Sequence, residues 1–114
     1  MQQFLSVVKI ALGCQGLRFV DCGKPVRNVA VGGGACAGEM EQAAKAGCDT
    51  FVTADVKYNQ FWDAKALGIN LIDAGHFHTE APVCRYLTQQ LRQAFPEVTV
   101  TMSTQHTDCA KFFQ

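Results

Sequence analysis

The tightest constraint on this chain is how its short apolar runs end. Val26 to Val31 reads as a strand and stops at Gly32-Gly33-Gly34. Thr50-Phe51-Val52-Thr53 reads as a second and runs into Ala54-Asp55. Ile69 to Asp73 reads as a third and leaves through Ala74-Gly75-His76. These runs are rich in β-branched side chains and too short for buried helices. Helical spacing fills the gaps between them: Met40, Ala43, Ala44 and Gly47 in one, Asn59 to Leu67 in the next. Parallel strands cannot be joined by a tight turn and need crossovers. The alternation therefore predicts an α/β fold with a mostly parallel sheet and crossover helices.

The flanks add weaker elements. A helical stripe of Phe4, Val7, Val8 and Leu12 ends at Gly13, and Arg18-Phe19-Val20 reads as a short strand. Thr79 to Phe95 is the strongest helix, with Val83, Cys84, Leu87, Leu91 and Ala94 on one face. Thr79 suits an N-cap and Pro82 the first turn, where a missing N–H costs little. Pro96 ends the helix, and Val98 to Met102 alternates as a final strand. The polar stretch 103–114, closing on Phe112 and Phe113, is expected to pack on something.

At 114 residues this is one domain, 1–114, with one core. Lys plus Arg balance Asp plus Glu at ten each, so no net field draws nucleic acid or anionic lipid. Charged residues are only 18%, which suits a chain that hides surface against a partner. No apolar run is long enough to cross a bilayer, and Met1 to Lys9 does not read as a signal peptide. A cytoplasmic, reducing setting is expected, and there most of the six cysteines (14, 22, 36, 48, 84 and 109) read as small buried hydrophobes. None forms C-x-x-C, which argues against a cysteine zinc site.

In an open parallel sheet, ligands gather outside the carboxyl ends of the strands. The three loops that leave those ends carry backbone amides at Gly32 to Gly34, carboxylates at Asp55 and Asp73, and the imidazole of His76. His76 and Glu80 stand at i and i+4, so on a helical turn they converge on one ion. Imidazole and carboxylate suit zinc, iron or manganese, though the same pair also fits a strand-end histidine and a dipole-favoured glutamate. Asp73 is placed to orient the imidazole from behind, or only to end the strand. Gly32 to Ala37 fits the frame G-x-G-x-x-A with Asp55 about twenty residues on, so a nucleotide-binding loop is a rival reading beside a plain tight turn. Lys57 is placed to meet an anionic substrate or to start a helix. His78 reads as a solvent or interface histidine, and Trp62 as core or interface.

Taken together, VAVGGG at 29–34, TADVKY at 53–58 and LIDAGHFHTE at 71–80 resemble the dinuclear-metal-centre hexameric proteins. These are also called Nif-three-like proteins or GTP cyclohydrolase I type 2 homologues. The resemblance covers about residues 26–95 and implies a three-layer subunit in a toroidal hexamer, with two divalent ions per subunit facing an inner cavity. It implies His76 and Glu80 as metal ligands, with Glu80 placed to bridge the ions, and Asp55 lining the same site. Family members often read T-G-D and K-Y-H where this chain has Ala54 and Asn59. They are at least twice as long, and their N-terminal half supplies the other ligands, a His pair and a His-Asp element. No histidine precedes His76 here. The resemblance thus implies a C-terminal half carrying part of a metal site and self-associating.

The leading function is a metal-dependent hydrolase, in which paired ions polarise a substrate oxygen and lower the pKa of bound water. The substrate is an unidentified small molecule, no residue is assigned a catalytic role, and the isolated chain is expected to be inactive. The alternatives are an oligomerising, regulatory module without turnover and a nucleotide-binding domain built on Gly32 to Gly34.

Overall fold

A computed structural model describes residues 1–113. Its elements are α1 (Gln2–Leu12), β1 (Arg18–Val20), β2 (Val29–Val31), a 3-10 turn (Ala37–Glu39), α2 (Met40–Lys45), β3 (Thr50–Thr53), α3 (Tyr58–Leu67), β4 (Asn70–Asp73) and α4 (His76–Ala94). They build one four-stranded sheet in the order β1-β4-β3-β2. Strands β2, β3 and β4 are parallel, and β1 lies antiparallel along the β4 edge. The α/β, mostly parallel expectation holds.

One core was expected, but period-2 alternation along the two central strands makes two, one on each face of the sheet. Phe51 and Leu71, paired in register, face Met40 of α2 and Ala64 of α3. Val52 and Ile72, the next pair, face Leu5 and Val8 of α1. Every residue of β3 and β4 is buried, as expected of strands covered on both faces. Both crossovers move the same way across the sheet, so their shared handedness puts α2 and α3 on one face. Buried Asn70 ties the far end of the sheet: its amide donates to Thr50 Oγ1 and the Lys24 carbonyl, and its Oδ1 accepts from Cys22 N–H.

Several expectations need correction. Val98 to Met102 is not a strand. Its alternation is real, but the segment lies along α4 rather than at a sheet edge, and a strand needs an edge to pair with. Helix α4 begins at His76, not at Thr79, because Thr79 N–H already bonds the Gly75 carbonyl. Pro82 consequently sits two turns inside the helix, where it cannot donate to the His78 carbonyl. The cysteines are all free, but only Cys14 is buried, while Cys84 and Cys109 are exposed. The α4 stripe that should have covered Cys84 is itself open to solvent, with Val83, Leu87 and Leu91 about half exposed. Trp62 is likewise exposed and does not belong to the core.

Candidate functional site

Because β2, β3 and β4 are parallel neighbours, their carboxyl ends deliver Gly34, Asp55 and His76 to one edge. The three meet there. Asp55 Oδ2 lies 2.6 Å from His76 Nδ1, and Glu80 Oε1 lies 3.1 Å from His76 Nε2. His76 is therefore held between two carboxylates, both side chains and its own being about half exposed. The hydrogen bond with Asp55, and then the charge of Glu80, raise its pKa above the ordinary imidazole value. The protonated ring donates from Nδ1 to Asp55 and from Nε2 to Glu80; a neutral ring that keeps its Nδ1 proton on Asp55 leaves Nε2 an acceptor.

The glycine loop forms the wall of this pair. Gly34 has a φ of +71°, and a Cβ added there would stand 2.4 Å from Glu80 Oε1 and 3.2 Å from His76 Nε2. Only a glycine lets the two side chains approach the backbone this closely. The loop is bound in place by two threonines. Thr79 Oγ1 accepts Gly34 N–H at 2.9 Å and donates back to the Gly75 or His76 carbonyl. Thr53 Oγ1 accepts Cys36 N–H at 3.0 Å and donates to the Gly34 carbonyl at 2.8 Å. Gly32 N–H goes to the Val52 carbonyl. The amides of Gly32, Gly34 and Cys36 thus serve protein acceptors.

Asp73 does not touch the imidazole. Its Oδ2 accepts from the Arg18 guanidinium and, at 3.1 Å, from Val56 N–H, and its Oδ1 accepts from Gly75 N–H at 3.1 Å. Arg18 also donates to the Val56 carbonyl and lies over the Phe61 ring. Asp73 therefore anchors the loop that carries Asp55 and the turn that carries His76, and the orienting carboxylate is Asp55. Arg18 was missed at the sequence level. Its only signal was a lone cation in a short strand, and its partner stands 55 residues away. Lys57 starts α3 with its N–H bonded to Gln60 Oε1, its side chain exposed. His78 turns to the opposite side of α4, with Nδ1 3.3 Å from the Leu12 carbonyl and Nε2 3.3 Å from Asp108.

Among the described residues, no group of three or more His, Cys, Asp and Glu side chains is arranged to hold a metal. The donor set fits a metal only in part. His76 Nε2 and Glu80 Oε1 are of the right chemistry and converge against Gly34, but two protein ligands do not complete a site. No helix is long and apolar enough to cross a membrane among these residues.

Comparison with known proteins gives a consistent picture. A Nostoc protein called GTP cyclohydrolase 1 type 2 homolog is 35% identical over 116 residues, covering 99% of this chain and 44% of its own length. The crystal structure of Staphylococcus aureus protein SA1388 superposes with a TM-score of 0.90 at 31% identity, covering 99% of this chain and 38% of that one. A Bacillus cereus protein related to NIF3 superposes with a TM-score of 0.78 at 35% identity, over 97% of this chain and 32% of that one. The chain spans less than half the length of the curated relatives it matches. Residues 1–109 match the Duf34/NIF3 (NGG1p interacting factor 3) family profile, and the chain belongs to that family.

Proposed function

We propose that this chain carries part of the divalent-metal centre of a metal-dependent hydrolase, with His76 and Glu80 as ligands and Asp55 behind the imidazole. One observation carries the reading: His76 Nε2 and Glu80 Oε1 converge at 3.1 Å, packed against a backbone position where only a glycine lets them come so close. The remaining ligands come from the part of the longer relatives that this chain does not span, and the complete centre holds two ions of zinc, iron or manganese. When bound, such ions supply Lewis-acid polarisation and a water of lowered pKa. The residues present bind and orient; on their own they do not turn over substrate. The full-length protein works as a hexamer in the cytoplasm, a setting that suits six free thiols. GTP is a substrate to assay because relatives carry the name of a GTP cyclohydrolase homologue.

The second reading is an assembly module without turnover. The open apolar face of α4 favours it. Metal content per chain, measured by plasma mass spectrometry beside His76→Ala and Glu80→Ala, separates the two. Metal lost in both variants supports the centre. No metal in any of the three proteins, even after zinc is supplied, rejects it for this chain.

A further inference from the structure

Among the described residues, Asp55 alone outside glycine has a positive φ, at 51°. Such a conformation persists only where the surrounding structure over-determines it. Its two neighbours do so here. Ala54 is fully buried, and its N–H donates to the Gly34 carbonyl at 2.9 Å. Val56 is held in three ways. Its side chain lies in the core with Phe51 and Leu71, its N–H donates to Asp73 Oδ2 at 3.1 Å, and its carbonyl accepts from Arg18 Nη2 at 2.9 Å. The same Arg18 nitrogen donates to the same Asp73 oxygen. Arg18, Asp73 and Val56 thus close a ring of three hydrogen bonds directly behind Asp55. Asp73 spends its other oxygen on Gly75 N–H at 3.1 Å, one residue before His76. One node therefore fixes both partners of the Asp55–His76 contact, which closes at 2.6 Å. Arg18 enters the node from β1, where it stands opposite Asp73 in the antiparallel pairing, with its guanidinium 5.4 Å over the Phe61 ring.

We propose that Arg18 is a positioning residue of this edge: it holds Asp55 in its left-handed conformation, and so holds the Asp55 carboxylate on His76 Nδ1. An exposed arginine paired with an exposed carboxylate would add little. This pair differs, because Asp73 is 7% exposed and the guanidinium 60%. Without the cation, Asp73 is a buried charge short of a partner, and its carboxylate turns toward water. Val56 N–H then loses its acceptor. That N–H belongs to the peptide that leaves Asp55, so its release lets Asp55 return to the negative φ that L-residues prefer. The proposal rests on the metal-centre reading for what His76 is for, and on the metal-free geometry alone for what Arg18 does.

The test is NMR of the full metal-free chain beside Arg18→Met, Arg18→Lys and Val8→Ala. A positive φ brings the Asp55 amide proton close to its own Hα and gives a strong intraresidue cross-peak. At alkaline pH, the ¹⁵N shifts of the neutral His76 ring report which nitrogen carries the proton. In Arg18→Met the cross-peak should weaken, and the ring proton should move from Nδ1 to Nε2. Arg18→Lys supplies an ammonium that can serve both acceptors, and should recover both signals. Val8→Ala lowers stability from the opposite core and should change neither signal, whereas a merely structural Arg18 would make the two variants alike. Parent-like signals in Arg18→Met overturn the proposal, as does their loss in Val8→Ala or their failure to return in Arg18→Lys. If Arg18→Met does not fold, the two signals are compared between Asp73→Asn and the double variant Arg18→Met/Asp73→Asn, in which no unpaired carboxylate is buried; no difference between these two overturns the proposal as well. No metal enters either readout. A chain that retains no metal therefore rejects the proposed function and leaves the role of Arg18 standing, while parent-like signals in Arg18→Met reject that role alone.

Discussion

Asp55 is the residue at which stability and site function should separate. It sits in the left-handed region at a φ of 51°, which glycine adopts freely and other residues rarely. Replacing it with glycine relieves about 1 kcal/mol of backbone cost. The same change gives the unfolded chain about 0.4–1 kcal/mol of extra freedom. The lost contact with His76 adds little, because the two side chains are 56% and 48% exposed and water screens them. Asp55→Gly should therefore melt within about 5 °C of the parent. The site should respond very differently. Without the carboxylate at Nδ1, nothing selects the ring tautomer that offers Nε2, and zinc affinity should fall roughly 10–100-fold. The assays are thermal melting of the metal-free chain, zinc competition against a chromophoric chelator, and imidazole ¹⁵N shifts, which report the tautomer of His76 directly. A melting point lowered by well over 10 °C would make Asp55 a structural linchpin. Unchanged zinc affinity with an unchanged tautomer would refute the positioning argument.

Three further outcomes follow from the same geometry. The raised pKa of His76 means that its protonated form is favoured by folding, so its contribution is complete below about pH 6.5 and is lost as pH rises through the higher folded value. Metal-free protein should lose a little stability across that window while His76→Ala stays flat, as melting curves at stepped pH would show. Gly34→Ala places a Cβ against Glu80 at a left-handed backbone position; the glutamate can swing outward, so stability should drop only about 1–2 kcal/mol while zinc retention is largely lost. Asp73→Ala strips acceptors from Arg18, Val56 N–H and Gly75 N–H and should cost about 2–4 kcal/mol in urea unfolding, more than any change at the more exposed Asp55.

The edge that carries the site was legible because its logic is topological. Short β-branched runs that end in Gly, Asp and His become neighbours once the sheet is parallel, whatever the side chains do next. What could not be read was pairing across the chain. Asp55 and Asp73 both sit at strand ends, and nothing local says which will meet the imidazole. The decision is made by Arg18, which reaches Asp73 only because β1 turns back antiparallel along β4. Thr79 misled for a related reason: its hydroxyl looks like a cap in sequence, yet it fastens a glycine loop 45 residues earlier. Val98 to Met102 has the alternation of a strand but lies along α4, away from both sheet edges. The apolar face of α4 shows the converse, a helical period without a core beneath it.

Gly34, Asp55 and His76 are 21 residues apart at each step, each two or three residues past the end of its strand. Each strand contributes a single piece, and no two pieces are local. A slip of one residue between β3 and β4 would carry Asp55 about 3.3 Å past His76 and swap the side chains that face the two cores. The constellation therefore cannot assemble early or piecemeal; it comes into being only when the last parallel pairing is in register. Retention of a metal ion would then double as a checkpoint for folding, separating a correctly threaded sheet from a compact but misaligned one.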